Sequence, residues 1–234
     1  MTKHFLRILL LFVLLPFTGC GQVVSDANPY IQACEALEQK RNDWAAEYLA
    51  ASDQKRQSVL DEARKELLRF FAEDCFPAWY GTKWDFNGTT EVPGEGEIAC
   101  GYFVSTTLQD AGFRMNRYRV AQQASQKIIE VFSNRDSIMV MVAKPVEEVA
   151  THIRESGPGI YIVGLDTHVG FVMNHNGELR FVHSSYYKPD AVVKSEPLVG
   201  RNPLADSNYR VVGKILSDQM IEKWLSGGEF VISA

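Results

Sequence analysis

The sequence is poor in cysteine and has no excess of cationic charge. Only four cysteines occur among 234 residues, and no two of them have the Cys-x-x-Cys spacing that is typical of structural zinc sites. Any cysteine chemistry must therefore come from individual thiols. The formal net charge of −5 offers no general attraction to phosphate backbones, so we expect no nucleic-acid partner.

Long apolar runs are also missing. The longest is the ten-residue run from Ile8 to Phe17, which is too short to span a bilayer stably. Lys3 and Arg7 precede this run and small residues follow it, a pattern that predicts a signal peptide over residues 1–19. Its removal would lower the formal charge from −5 to −7.

The end of this segment resembles a bacterial lipoprotein signal, in which the modified cysteine follows small residues. The resemblance implies a lipid anchor on Cys20, with Phe17 at the position that is usually aliphatic. Two acyl chains would hold the protein stably on a membrane. Gly21 follows Cys20, which by the same resemblance implies the cell envelope, at the periplasmic face of the outer membrane. An ordinary secretory signal cut near Gly19 is the alternative.

Glycine is absent between residues 29 and 76, and so is proline after Pro29, which favours helix throughout. A break at Ser52-Asp53 predicts an antiparallel hairpin within an N-terminal region of residues 20–78. At about 1.5 Å per residue, Cys34 and Cys75 would lie at similar levels, as a disulfide or as two free thiols. The predicted apolar stripes are Ile31, Leu37, Trp44 and Tyr48, then Val59, Ala63, Leu67, Phe70 and Phe71.

The composition changes near Trp79, and residues 79–234 predict an α+β domain in which helices come first and antiparallel strands follow. The predicted helices are Cys100 to Ala111, a second around Val120 to Phe132, and Gln219 to Leu225. The predicted strands are Ile138 to Val142, Ile160 to Val163, His168 to Met173, Leu179 to His183, and Tyr209 to Val212.

Cys100 is the candidate nucleophile, because it lies where an extended segment gives way to a helix. The N–H groups of a first helical turn favour the thiolate form. Gly96 and Gly101 leave little bulk beside it, which would let a substrate backbone approach. A small buried thiol without catalytic function is the alternative.

His168 and His183 belong to a predicted β-hairpin with the turn Asn174 to Gly177. Pairing of Asn174 with Gly177 would set His168 opposite His183, and a slip of two residues would keep both rings on one face. Two such imidazoles can serve as the base and the orienting group of a nucleophilic triad. A metal site lacking further ligands and a structural histidine pair are the alternatives. The remaining two candidates, His152 and His175, are expected at the surface.

These motifs, taken in order, resemble the NlpC-type cell-wall cysteine peptidases. The loop Gly81–Thr89 resembles a conserved loop of that family, and Cys100–Val104 resembles the start of its nucleophile helix. Asn116-Arg117 followed by Gln122 resembles its Pro-Arg followed by Gln. His168–Val172 and Phe181–Ser185 resemble the strands that carry its base and its third catalytic residue.

The resemblance implies a papain-like fold, in which the helix carrying the cysteine packs on an antiparallel sheet carrying the histidines. It implies hydrolysis of amide bonds in peptidoglycan stem peptides by Cys100, His168 and His183, without cofactor or metal. Trp84, Gly101 and Arg117 would bind substrate. The sequence departs from the family pattern at Ala99, Gly101 and Trp84, which replace Asp, Ser and Tyr. A catalytically silent binding module for peptidoglycan or a protein partner, and a related amidase or acyltransferase, are the alternatives.

Overall fold

The computed structural model describes residues 28–232 of the chain. The expected signal peptide, residues 1–19, and the expected lipid attachment site at Cys20 lie outside the described residues. Within the part of the chain that is described, no helix is both long enough and apolar enough to cross a membrane.

The N-terminal region forms a helical hairpin. Helix α1 spans Pro29–Ala50 and helix α2 spans Asp53–Arg69, which confirms the break at Ser52-Asp53. The Asn28 side chain accepts a hydrogen bond from the Tyr30 N–H and so caps the start of α1. A π-helical segment, Phe70–Cys75, and helix α3, Phe76–Trp79, then carry the chain to the point where its composition changes.

The apolar stripe of α1 differs from the prediction by one residue. Ile31 is 52% exposed, whereas Tyr30 is buried. The Tyr30 hydroxyl donates to Asp110 Oδ2 at 2.6 Å and accepts from the Trp79 indole N–H at 3.1 Å, so this ring is directed into the core. The stripe predicted on the second helix is buried as expected.

Cys34 and Cys75 are free thiols, so the alternative without a disulfide describes this structure. Cys75 is buried at the end of the π-helical segment, and its sulfur lies 3.6 Å from the Tyr30 hydroxyl oxygen. Desolvation raises the pKa of both thiols, to about 12 for Cys34. Both sulfurs are therefore protonated and unreactive near neutral pH.

The rest of the described chain combines helices with one antiparallel sheet of six strands in the order β1-β6-β2-β3-β4-β5, which confirms the α+β class. The helices are α4 Cys100–Asp110, α5 Arg117–Ala121, α6 Ser125–Phe132, α7 Val146–Glu155, α8 Pro203–Asp206 and α9 Asp218–Leu225. The strands are β1 Ile138–Val142, β2 Gly159–Leu165, β3 Val169–His175, β4 Glu178–Ser184, β5 Val193–Pro197 and β6 Tyr209–Lys214.

Several elements differ from the sequence prediction, and among them helix α8 was not predicted. The helix expected around Val120 to Phe132 is interrupted at residues 122–124 and forms the separate helices α5 and α6. Strand β5 was not predicted. It lies at the edge of the sheet, three of its five residues are only half-buried, and it therefore lacks the apolar alternation that marks a strand in sequence.

The core occupies both faces of the sheet. On one face, helix α4 and the N-terminal helices pack on the sheet through aromatic rings, and the centroids of Phe76 and Phe171 lie 5.1 Å apart. On the other face, Val149 and Ile153 of α7 join a second apolar cluster with Val163. This arrangement holds the start of α4 against strand β3.

Candidate active site

Cys100 is the first residue of α4. The preceding Ala99 is extended, and the thiol is half-buried where the helix begins. Backbone hydrogen bonding at Val169, Gly101 and Cys100 itself lowers the pKa of this thiol, but desolvation outweighs it and raises the pKa above its ordinary value. The expectation that the helix start favours thiolate is therefore wrong for the resting protein, because burial is the larger effect.

The histidine hairpin forms with a register two residues away from the predicted one. His175 pairs with Glu178, so the turn is Asn176-Gly177, and both of these residues have positive φ angles. Asn174 pairs with Leu179 instead of Gly177 in the ladder. Its buried amide donates to the carbonyls of Ile153 and Gly157, and its Oδ1 accepts from the Gly177 N–H.

The parity of the register is nevertheless the predicted one, and the two rings meet. His168 Nε2 and His183 Nδ1 lie 2.8 Å apart, with the ring planes nearly perpendicular at 86°. In the observed register His183 lies opposite Gly170, whereas in the predicted register it would lie opposite His168. A Cβ atom at Gly170 would lie 2.7 Å from the His183 Cβ atom, so the close approach of β3 and β4 requires glycine here.

The environment of the histidine pair keeps both rings neutral. His168 and His183 are buried, and desolvation is the largest cause of a lowered pKa at each ring. The Phe181 ring stacks on His183 at a centroid distance of 4.0 Å. Glu196 Oε1 lies 2.9 Å from His183 Nε2 and partly offsets the lowering of its pKa.

Cys100 and His168 line one cavity of about 460 Å³. Its other walls come from the segment between α5 and α6 and from the turn before β3. His168 Nδ1 is buried and makes no hydrogen bond to the described residues. Cys100 and His168 share this cavity, and a histidine with an unpaired ring nitrogen is suited to accept a thiol proton once a substrate brings the reacting groups into line.

Three further candidates, Trp84, His152 and His175, do not line this cavity. Trp84 lies outside the cavity lining, and its ring is 5.8 Å from Tyr186, which in turn lies 5.3 Å from His168. Trp84 therefore supports the wall beside His168 through Tyr186. His175 is exposed at the end of β3, as predicted, and His152 is half-buried on α7.

Arg117 has a structural role in place of the expected substrate contact. Its guanidinium donates to Thr106 Oγ1 at 2.7 Å, to Glu91 Oε1 at 2.9 Å, and to the carbonyl oxygens of Thr89 and Thr90. Every guanidinium nitrogen is thus engaged by the protein. These contacts fasten the loop before Cys100 onto helix α4, which the sequence pattern alone did not indicate.

Gly101 lines the cavity, but the absence of its side chain serves packing. A Cβ atom here would lie 2.2 Å from the carbonyl oxygen of Ala121, so glycine lets α4 and α5 approach closely. We expect Gly101→Ala to lower the free energy of unfolding by about 1–3 kcal/mol through overpacking. Thermal melts would measure this effect. An unchanged melting temperature would show that α5 moves away without cost.

Metal ligation receives no support from the described residues. Within residues 28–232, no group of three or more His, Cys, Asp or Glu side chains is placed to hold a metal ion. No protein-family model, no curated protein and no solved structure matches this chain. The site consists of a thiol and a histidine at one cavity, with a second histidine bound to the first and a carboxylate bound to the second.

Glu196 is the member of this group that sequence reasoning missed. It lies on β5, where Glu196 pairs with Phe181, and the neighbouring pair in that register on the same face is His183 with Lys194. The only available signal was a carboxylate in a short segment after the histidine hairpin, and without the strand assignment nothing connected it to His183.

Proposed function

We propose that this protein is a cysteine peptidase of papain-like fold that hydrolyses amide bonds through Cys100, His168 and His183. The observation that carries the proposal is the shared cavity: Cys100 and His168 line it, and His168 is bound at 2.8 Å to His183. This is the order of nucleophile, base and orienting group that acyl transfer requires.

The mechanism starts from a neutral thiol and a neutral imidazole, since burial raises the pKa of Cys100 and lowers that of His168. His168 Nδ1 takes the thiol proton as the sulfur attacks the substrate carbonyl. The Cys100 N–H at the start of α4 donates to the oxyanion that develops. The proton then passes from His168 to the leaving amine as the C–N bond breaks, leaving a thioester on Cys100.

Hydrolysis of the thioester completes the cycle. His168 takes a proton from water, the resulting hydroxide attacks the thioester carbonyl, and the sulfur leaves and regains a proton from His168. His183 accepts the hydrogen bond from His168 Nε2 throughout, so the base keeps one orientation. Each step uses only these side chains, the main-chain N–H of Cys100 and water.

The proposed substrate is the stem peptide of peptidoglycan. Support comes from the sequence resemblance to NlpC-type cell-wall peptidases and from the expected export to the cell envelope. A cavity of about 460 Å³ has room for part of a short peptide.

The proposal is tested by alkylation of the purified protein with iodoacetamide, followed by peptide mass spectrometry. Burial raises the pKa of all three thiols, but we expect Cys100 to react faster than Cys34 or Cys75 because His168 lines the same cavity and can take its proton. The His168→Ala variant should label more slowly at Cys100, because the base that removes the thiol proton is absent. Equal labelling of Cys100 in both proteins would favour a silent binding module.

The lipid anchor gives a separate prediction about localisation. We expect Cys20→Ala to release the protein from the membrane fraction of a Gram-negative host, since residues 28–232 contain no helix that could replace the anchor. Fractionation followed by a salt wash measures this. A variant that stays with the washed membranes would contradict lipidation at Cys20, and an ordinary secretory signal would predict a soluble wild type.

A further inference from the structure

Glu196 completes an uninterrupted chain of polar contacts that ends at the unpaired nitrogen of His168. Glu196 Oε1 lies 2.9 Å from His183 Nε2, and His183 Nδ1 lies 2.8 Å from His168 Nε2. Both rings are buried, so water cannot substitute for either partner. The described structure gives His168 Nδ1 no partner.

The positions of the ring protons on His183 and His168 follow by elimination. An ionised carboxylate only accepts hydrogen bonds, so Nε2 of His183 must carry its proton toward Glu196. A neutral imidazole has one N–H, which leaves Nδ1 of His183 as an acceptor. The 2.8 Å contact then requires Nε2 of His168 to donate, and Nδ1 of His168 is left without a proton.

We propose that Glu196 is a positioning residue that selects the tautomers of both histidines and thereby keeps Nδ1 of His168 free to accept a proton. This inference rests on the proposed function for its catalytic meaning, but the tautomers themselves are a property of the folded protein. Without an acceptor at position 196, both rings can reverse together. His183 Nδ1 would then donate to His168 Nε2, and the proton of His168 would move to Nδ1.

The reversed state would be inactive, because a protonated Nδ1 cannot take the proton of Cys100. The same series of contacts from Glu196 to His168 also balances the charge that develops during the reaction. When His168 becomes an imidazolium, its positive charge is stabilised through His183 by the Glu196 carboxylate. Lys194 is the other charged neighbour of His183, and it opposes this effect, so Glu196 has to supply the stabilising charge.

The test uses Glu196→Leu, which removes the acceptor at similar volume, and Glu196→Gln, whose amide can accept or donate. Glu178→Leu, a change of an exposed carboxylate on the neighbouring strand β4, is the matched control. Imidazole nitrogen shifts by NMR report each tautomer directly. The chain has five histidines, so His→Ala variants suffice to assign the signals.

We expect the wild type and Glu178→Leu to carry the ring proton on Nε2 in both buried histidines. Glu196→Leu should show a mixture with the Nδ1-protonated form of His168, and kcat for amide hydrolysis should fall about 100-fold with little change in KM. Glu196→Gln should be intermediate in both readouts. Thermal melts of each variant establish that the fold is retained.

Unchanged tautomers in Glu196→Leu, or an Nδ1-protonated His168 in the wild type, would overturn the assignment whatever the activity. A wild type that has the expected tautomers but no amide-hydrolysing activity would instead overturn the proposed function. A fall in kcat without a change in the tautomers would show that Glu196 acts by its charge alone, which also contradicts the proposal.

Discussion

Cys100→Ala is expected to abolish hydrolysis of peptidoglycan fragments, with a fall in turnover on the order of 10⁵-fold or more. The substitution removes the sulfur that attacks the carbonyl, and Cys100 is the one cysteine among the described residues that line the cavity. The side chain is only half-buried, so its loss should change the melting temperature little. Chromatographic assay of product release over time would measure the effect.

Cys34→Ala is the matched control for this experiment. Cys34 is also half-buried, but it lies on α1 and does not line the cavity. It should therefore leave turnover unchanged. Hydrolysis by Cys100→Ala at the wild-type rate would exclude the cysteine mechanism. A large loss of turnover in Cys34→Ala would mean that removal of a thiol lowers activity by destabilising the fold.

Replacement of the two buried histidines by alanine should lower kcat to different extents. His168→Ala removes the base and is expected to lower kcat on the order of 10³-fold. His183→Ala leaves the base present but removes the acceptor for its Nε2–H, so more activity should remain. His183→Asn should recover part of the loss, because the amide oxygen can accept from His168 while its NH₂ group can donate to Glu196.

Steady-state kinetics of these variants on one stem-peptide fragment would decide between a catalytic and a structural pair. His175→Ala is the control, since this residue is exposed at the hairpin turn. Wild-type activity in His183→Ala would mean that His183 only fills the core. Thermal melts are needed because both rings are buried and their removal leaves space around Phe181.

The hairpin shows why part of the site could be predicted from the sequence. Side chains of a strand alternate with a period of two, so the parity of the pairing alone determines that His168 and His183 share a face. The exact register was predicted wrongly. The amide of Asn174 is used by the end of helix α7, and this long-range contact leaves no trace in the local sequence.

Glu196 and Arg117 show where the sequence was insufficient. Strand β5 is short, polar and at the sheet edge, so neither its existence nor the contact of Glu196 with His183 could be inferred. The motif resemblance predicted that Arg117 contacts substrate. In the structure its guanidinium donates instead to the Glu91 carboxylate and to two carbonyl groups. The direction of the Cys100 pKa likewise depends on tertiary burial, which outweighs the local effect of the helix start.

Mass spectrometry of purified muropeptides incubated with the wild-type protein would show directly whether the protein hydrolyses an amide bond of a peptidoglycan stem peptide. We expect two products from each cleaved stem peptide, whose masses together equal that of the substrate plus one water, with the cut at an amide bond between two of its amino acids. Intact muropeptides at the end of the incubation, or products cut only in the glycan strand, would contradict this expectation.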